Sequence, residues 1–205
     1  MLSLAASRST LAMTVWPVAG GGRPAARVAR YAVLAVVGSL LLWASAKVHV
    51  PFYPVPMTMQ TFVVLALGMA YGWRLGAATV LLYLAEGALG MPVFSGTPEK
   101  GLGLAYMAGS TGGYLFGFVL AAAASGWLAE RGWDRNAVTT ALAMLIGNIL
   151  IYIPGLLWLG VLFGWDKPIL AWGLFPFILG DVVKVALAAA VLPLAWRFVS
   201  PRPRR

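Results

Sequence analysis

The sequence predicts an all-α membrane protein, a six-transmembrane-helix bundle with its N- and C-termini cytoplasmic, and three observations carry that prediction. Hydrophobic residues make up 61% of the 205-residue chain and charged residues only 10%, against about 25% charged in ordinary soluble domains. Six apolar runs, at about 31–47, 57–71, 75–90, 111–129, 137–163 and 172–197, approach or reach the roughly 20 residues that cross a bilayer. The charges are also distributed by side. With a cytoplasmic N-terminus, Arg23, Arg27, Arg30, Arg74, Arg131, Arg135, Arg197, Arg202, Arg204 and Arg205 fall inside, while Lys47, Lys100 and Lys167 fall outside, which is the positive-inside pattern. The net charge of +9 is therefore topological. It predicts membrane lipid as the surroundings and no nucleic-acid partner.

Along the chain, residues 1–22 have an early Arg8 and a Gly/Pro break at 20–24 but no apolar core of signal-peptide type, so they read as a disordered extension outside the 23–205 membrane domain. The second apolar run is short and predicts a tilted or incomplete span. Ahead of it, residues 47–61 hold Pro51, Pro54 and Pro56 with no glycine, which predicts a stiff, extended, polyproline-like wall. The connection at 90–113 is the opposite case, with seven glycines and the apolar residues Met91, Val93, Phe94, Leu102, Leu104, Tyr106 and Met107 expected on its surface. Such a loop is a candidate lid, or a re-entrant connector. Pro154 inside the fifth run predicts a kink rather than a break, because the apolar run continues on both sides. Pro176 suits the first turn of the sixth helix. No internal repeat is visible.

Two opposite charges, Asp181 and Lys184, stand in the last apolar run. An ionisable group at bilayer depth costs roughly 2.5 to 3.5 kcal/mol even on the lenient insertion scale, so it is rarely kept without a role. A spacing of three puts both on one helix face, about 60° apart and roughly 4.5 Å apart along the axis. They can brace two helices as an internal ion pair or share a polar ligand. Enzymatic readings are poor. The chain has no cysteine and one histidine, His49, and no Gly-x-Ser-x-Gly, His-Glu-x-x-His or Gly-x-x-x-x-Gly-Lys-[Ser/Thr] element, so no enzyme, no metal site and no cofactor is expected.

The run VPFYPVPMTMQTFVVLALGMAYGWRLGAATVLLYLAEGALGMPVFSG, then STGGYLFGF, then the Asp181-x-x-Lys184 pair, closely resembles the BioY family, the biotin-capturing substrate subunits (S components) of energy-coupling-factor transporters. The resemblance covers about 47–197 and leaves the first 22 residues outside. Met91 and Ser110 depart from the residues usual at those places. The resemblance implies high-affinity capture of biotin at an outward-facing intramembrane site, with loops that close over it. It also implies partners, a transmembrane coupling subunit and cytoplasmic ATPases that use ATP, in the bacterial cytoplasmic membrane. A homo-oligomer and a stand-alone or proton-coupled secondary transporter remain open alternatives.

Biotin offers two ureido N–H donors, a carbonyl acceptor and a carboxylate tail. Asp181 could accept from the ureido group while Lys184 donates to it or keeps Asp181 charged. Gln60 and Thr58 offer an amide and a hydroxyl near the same rim, although Thr58 serves equally as a helix cap. Thr111, Gly112, Gly113 and Tyr114 open the fourth helix, where free N–H groups favour an anion and glycines equally favour helix packing. Tyr114, Tyr83 and Phe94 could stack on the bicycle, or sit in the interfacial belt. Asn148 is a ligand contact or an interhelical hydrogen-bonding group. On the first helix, Ala25, Ala29, Ala32 and Ala35 form a small-residue stripe suited to close approach by a partner helix.

Overall fold

The computed structural model describes residues 9–17 and 24–199. Six helices of twelve residues or more stand where the six apolar runs lie: α2 (Pro24–Lys47), α3 (Gln60–Tyr71), α4 (Trp73–Ala88), α6 (Gly112–Ala129), α7 (Ala137–Phe163) and α9 (Phe175–Val199). Short helices α1 (Leu11–Val15), α5 (Gly103–Met107) and α8 (Ile169–Gly173) and a 3-10 turn (Trp133–Arg135) complete the helical set among the described residues. Among the described residues four stretches are long and apolar enough to cross a membrane: α2, α6, α7 and the 31 residues from α8 through α9. At twelve residues, α3 covers about 18 Å and falls well short of the roughly 30 Å hydrocarbon layer.

The bundle is arranged around α6. This helix has eleven buried residues, against six on α2 and six on α9, and it packs against α3, α4 and α7. Hydrophobic side chains cannot drive helices together in lipid, so close backbone approach carries the packing. A Cβ on Gly68 of α3 would lie 2.5 Å from the Ala122 carbonyl of α6, and one on Gly117 of α6 would lie 2.7 Å from the Ile151 Cα of α7. Gly72 separates α3 from α4 with φ +82°, a left-handed value that L side chains rarely adopt, and so turns the chain with a single residue. Helix α7 runs on through Pro154 without a break. Ahead of α9, Leu174 interrupts the helix, and α9 starts at Phe175 with Pro176 in its first turn.

Three expectations are corrected here. Residues 9–17 are not an unstructured extension: Thr10 caps α1, Thr10 and Leu11 are buried, α1 packs on α3 and α9, and Arg30 donates to the Ala12 carbonyl at 2.8 Å. The remaining residues of 1–22 lie outside the described residues. The proline-rich connection is not extended throughout. Strands β1 (His49–Val50) and β2 (Met57–Thr58) pair antiparallel, so the three prolines turn a hairpin over the bundle. In the 90–113 loop, Val93, Phe94 and Tyr106 are buried while Met91, Leu102 and Leu104 are exposed. Composition showed that the loop is apolar, but which residues turn inward is decided by the tertiary contacts.

Candidate functional site

The hairpin, the 90–113 loop, the first turns of α3 and α6, the beginning of α9 and the middle of α7 come together around one cavity. Its volume is about 50 Å³. The hairpin and the start of α3 supply Val55, Met57, Thr58, Gln60 and Thr61. Gly180 allows this approach, since a Cβ there would lie 2.5 Å from the Met57 sulfur. The loop supplies Phe94, Ser95 and Tyr106, and α7 and α9 supply Ile151, Tyr152, Phe177, Asp181 and Lys184.

One wall carries the charges. Lys184 Nζ lies 3.3 Å from Asp181 Oδ1 and donates to Thr61 Oγ1 at 2.9 Å, while the Tyr152 hydroxyl donates to Asp181 Oδ2. Asp181 and Lys184 are 8% and 6% exposed. Charges this enclosed survive because each is paired and hydrogen-bonded; removing one partner would strand the other. A carboxylate has about four lone-pair sites, and two are used here, so Asp181 can still accept from a ligand.

A second polar group in the wall is neutral. Gln60 Nε2 donates to the Tyr83 hydroxyl at 2.7 Å, and Tyr83 passes its own proton to the Val93 carbonyl at 2.9 Å. Thr58 Oγ1 accepts from the Gln60 backbone N–H at 3.1 Å, so Thr58 satisfies the first N–H of α3 and lines the cavity as well. Aromatic rings close two further sides. Phe94 stacks on Tyr106 with centroids 4.8 Å apart, and Tyr152 lies between Phe177, stacked at 6.4 Å, and Tyr114, edge-on at 6.2 Å. Burial pushes the Tyr106 hydroxyl up from its ordinary pKa, so it is a neutral donor, and it gives its proton to the Ser95 carbonyl at 2.8 Å.

Of the residues expected from the sequence, Asp181, Lys184, Gln60, Thr58, Thr111, Tyr114 and Phe94 line the cavity. Four lie outside its wall. Tyr83 stands behind Gln60 as its support. Gly112 and Gly113 are packing glycines: a Cβ on Gly112 would lie 2.0 Å from the Met107 carbonyl, and one on Gly113 would lie 2.3 Å from the Pro154 carbonyl and 2.4 Å from Trp158 Cβ. Asn148 is buried on α7 one turn before Ile151 and Tyr152 and is not itself in the wall. Tyr152 and Thr61, the two side chains that bond to the ion pair, are among the lining residues that sequence reasoning missed. Thr61 adjoins Gln60 in the sequence, and Tyr152 is one turn from Asn148, so polarity within apolar runs was the available signal. Among the described residues no cluster of His, Asp and Glu could hold a metal ion. The alanine stripe of α2 is free on its outer face: Ala25, Ala29 and Ala32 are exposed and Ala35 is half-buried.

A family model described as the BioY family matches residues 3–201, so the similarity extends into the N-terminal segment that the motif resemblance left out. A protein of Pyrococcus horikoshii described as a probable biotin transporter BioY is 38% identical over 146 residues, covering 71% of this chain and 83% of its own. The biotin transporter BioY of Thermotoga maritima is 32% identical over 163 residues, covering 79% and 93%. A crystal structure at 2.1 Å of the S-component for biotin from an ECF-type ABC transporter superposes with a TM-score of 0.71. It covers 86% of this chain and 95% of that one at 21% identity, which is a likeness of fold.

Proposed function

Because the chain belongs to the BioY family, a family of biotin transport proteins and not of enzymes, we propose that it captures biotin from outside the cell in the cavity lined by Asp181 and Lys184. In this reading it acts as the substrate-specific subunit of an ATP-driven energy-coupling-factor transporter. The observation that supports this most directly is a buried, hydrogen-bonded ion pair in the wall of a cavity that also carries aromatic and apolar side chains. An apolar bicycle with one strongly polar edge needs those two surfaces. The ureido N–H groups donate to the free lone pairs of Asp181, and Lys184, paired with that carboxylate, faces the ureido oxygen. Gln60 and Thr58 offer further polar contacts across the cavity. Phe94, Tyr114 and Tyr152 cover the ring faces, and Thr111 stands at the polar rim for the carboxylate tail.

The protein works in the bacterial cytoplasmic membrane with both termini cytoplasmic, as the arginine distribution favours. The chain contains no phosphate-binding loop. Energy for uptake therefore comes from cytoplasmic ATPases through a transmembrane coupling subunit, which docks on the exposed alanine stripe of α2. Titration calorimetry of the purified chain tests the capture step. Biotin is expected to bind tightly and biotin methyl ester more weakly; a chain that is folded and fails to bind biotin would overturn the reading.

A further inference from the structure

Lys47, the last residue of α2, reaches across to the loop that walls the cavity. Its ammonium donates to the Pro92 carbonyl at 2.8 Å, the Phe94 carbonyl at 3.1 Å, and the Thr97 carbonyl and hydroxyl at 3.3 and 3.2 Å. Four acceptors converge on one three-proton cation, and three of them are carbonyls that take no part in a helix or strand. The span they pin contains Phe94 and Ser95, both of which line the cavity. Thr97 Oγ1 also donates to the Phe94 carbonyl at 2.7 Å, which folds the span back on itself beneath the lysine.

From these contacts we propose that Lys47 is a positioning residue and a latch. Its ammonium ties the end of α2 to residues 92–97, and ligand enters and leaves by the breaking of that tie. It touches no ligand; it acts through Phe94 and Ser95. This rests on the reading of the cavity as the capture site. Three features make this contact the one that yields. The lysine is exposed and its bonds are exposed or part-buried, so water can take over its donors, whereas the other side chains that bond to this span from outside it, Tyr83 at Val93 and Tyr106 at Ser95, do so through buried hydrogen bonds. Gly90 at φ +93°, Gly96 at +72° and Gly101 at +94° stand on both sides of and within the pinned span, where the backbone can swing. And α2 is the helix whose alanine-bearing outer face is open to a partner, so a tilt of α2 would draw the lysine off its carbonyls.

Amide hydrogen exchange over residues 93–97, measured on the purified chain without ligand, tests the latch whatever the cargo is. Lys47→Met is expected to speed exchange there about ten-fold or more, with the rest of the bundle unchanged, and Lys47→Arg, which keeps the donors, to restore most of the protection. With biotin present, Lys47→Met should release ligand about ten-fold faster without slowing its association. Should Lys47→Met fail to fold, Thr97→Val removes one acceptor and is expected to give a smaller acceleration confined to the same residues. Unchanged exchange at 93–97 in the variants, or acceleration spread evenly over the bundle, overturns the proposal. A wild-type chain that binds no biotin would strike the capture reading, and the ligand-free exchange result would still decide the latch.

Discussion

Tyr152 on α7 donates its hydroxyl to the Oδ2 of Asp181 on α9, so the charge in the cavity wall is held from a second helix as well as by Lys184 one turn along its own. The carboxylate is thereby fixed in direction before any ligand arrives. Pre-organisation of this kind lowers the cost of binding, because the ordering has already been met in folding.

It follows that Tyr152→Phe should weaken biotin binding by about ten-fold, the effect of one hydrogen bond to a charged group, with little loss of stability. Asp181→Asn and Lys184→Met should each cost several kcal/mol in combined binding and stability, since each leaves a buried charge unpaired. Calorimetry together with thermal unfolding in detergent separates the two contributions. Wild-type affinity in a folded Asp181→Asn chain would make the pair a structural brace.

Gly113 gives a contrasting case, a position near the site whose role is packing. Any side chain there meets the Pro154 carbonyl and Trp158 within 2.4 Å, so α6 and α7 must separate. Gly113→Val should destabilise the bundle by about 1 to 3 kcal/mol, as overpacking does. The expected signature is a lower unfolding temperature with near-normal biotin affinity in the fraction that remains folded.

Much of this was legible in the sequence, and the residues show why the rest was not. The fifth apolar run matches α7 residue for residue, because nothing interrupts it and Asn136 caps its start. Asp181 and Lys184 were legible because charge inside an apolar run is costly wherever the helix faces. Tyr152 was not, since a tyrosine in a span faces the cavity or the lipid according to helix rotation, which the neighbouring helices set. The same holds for Gly112 and Gly113, where a glycine pair serves ligand approach and helix approach alike until the facing atoms are known. Lys47 read as an ordinary span-end cation, and its four acceptors lie 45 to 50 residues away in the chain.

Asp134, in the turn between α6 and α7, is fully buried, and only its Oδ2 is bonded, to the Trp196 indole; its Oδ1 has no partner. Burial pushes this carboxyl up to about 6, and the Trp196 hydrogen bond and nearby Arg135 only partly offset that. A carboxyl raised above its unfolded value weakens the fold when ionised. The penalty is full above pH 6 and fades as pH falls from about 6 toward 4, the range of the unfolded carboxyl. Two pKa units correspond to roughly 3 kcal/mol. Asp134→Asn should therefore raise the unfolding temperature at pH 7.5 and have little effect near pH 4.5. Equal effects at both pH values would mean that Asp134 is not ionised in the folded chain at neutral pH.

The last expectation concerns coupling, which depends on surface rather than on the cavity. Ala29 and Ala32 are exposed on α2, so a large side chain there is expected to disturb nothing inside the bundle. What it disturbs is the close approach of another helix, which requires small residues at that spacing. Ala29→Trp and Ala32→Trp should leave biotin affinity and unfolding temperature unchanged while abolishing co-purification with the coupling subunit and ATP-dependent uptake in vesicles. Uptake at the normal rate in both variants would move the docking face elsewhere on the bundle. Rapid uptake by the lone chain, driven by a proton gradient and indifferent to ATP, would instead make Asp181 and Lys184 part of a proton-coupled carrier.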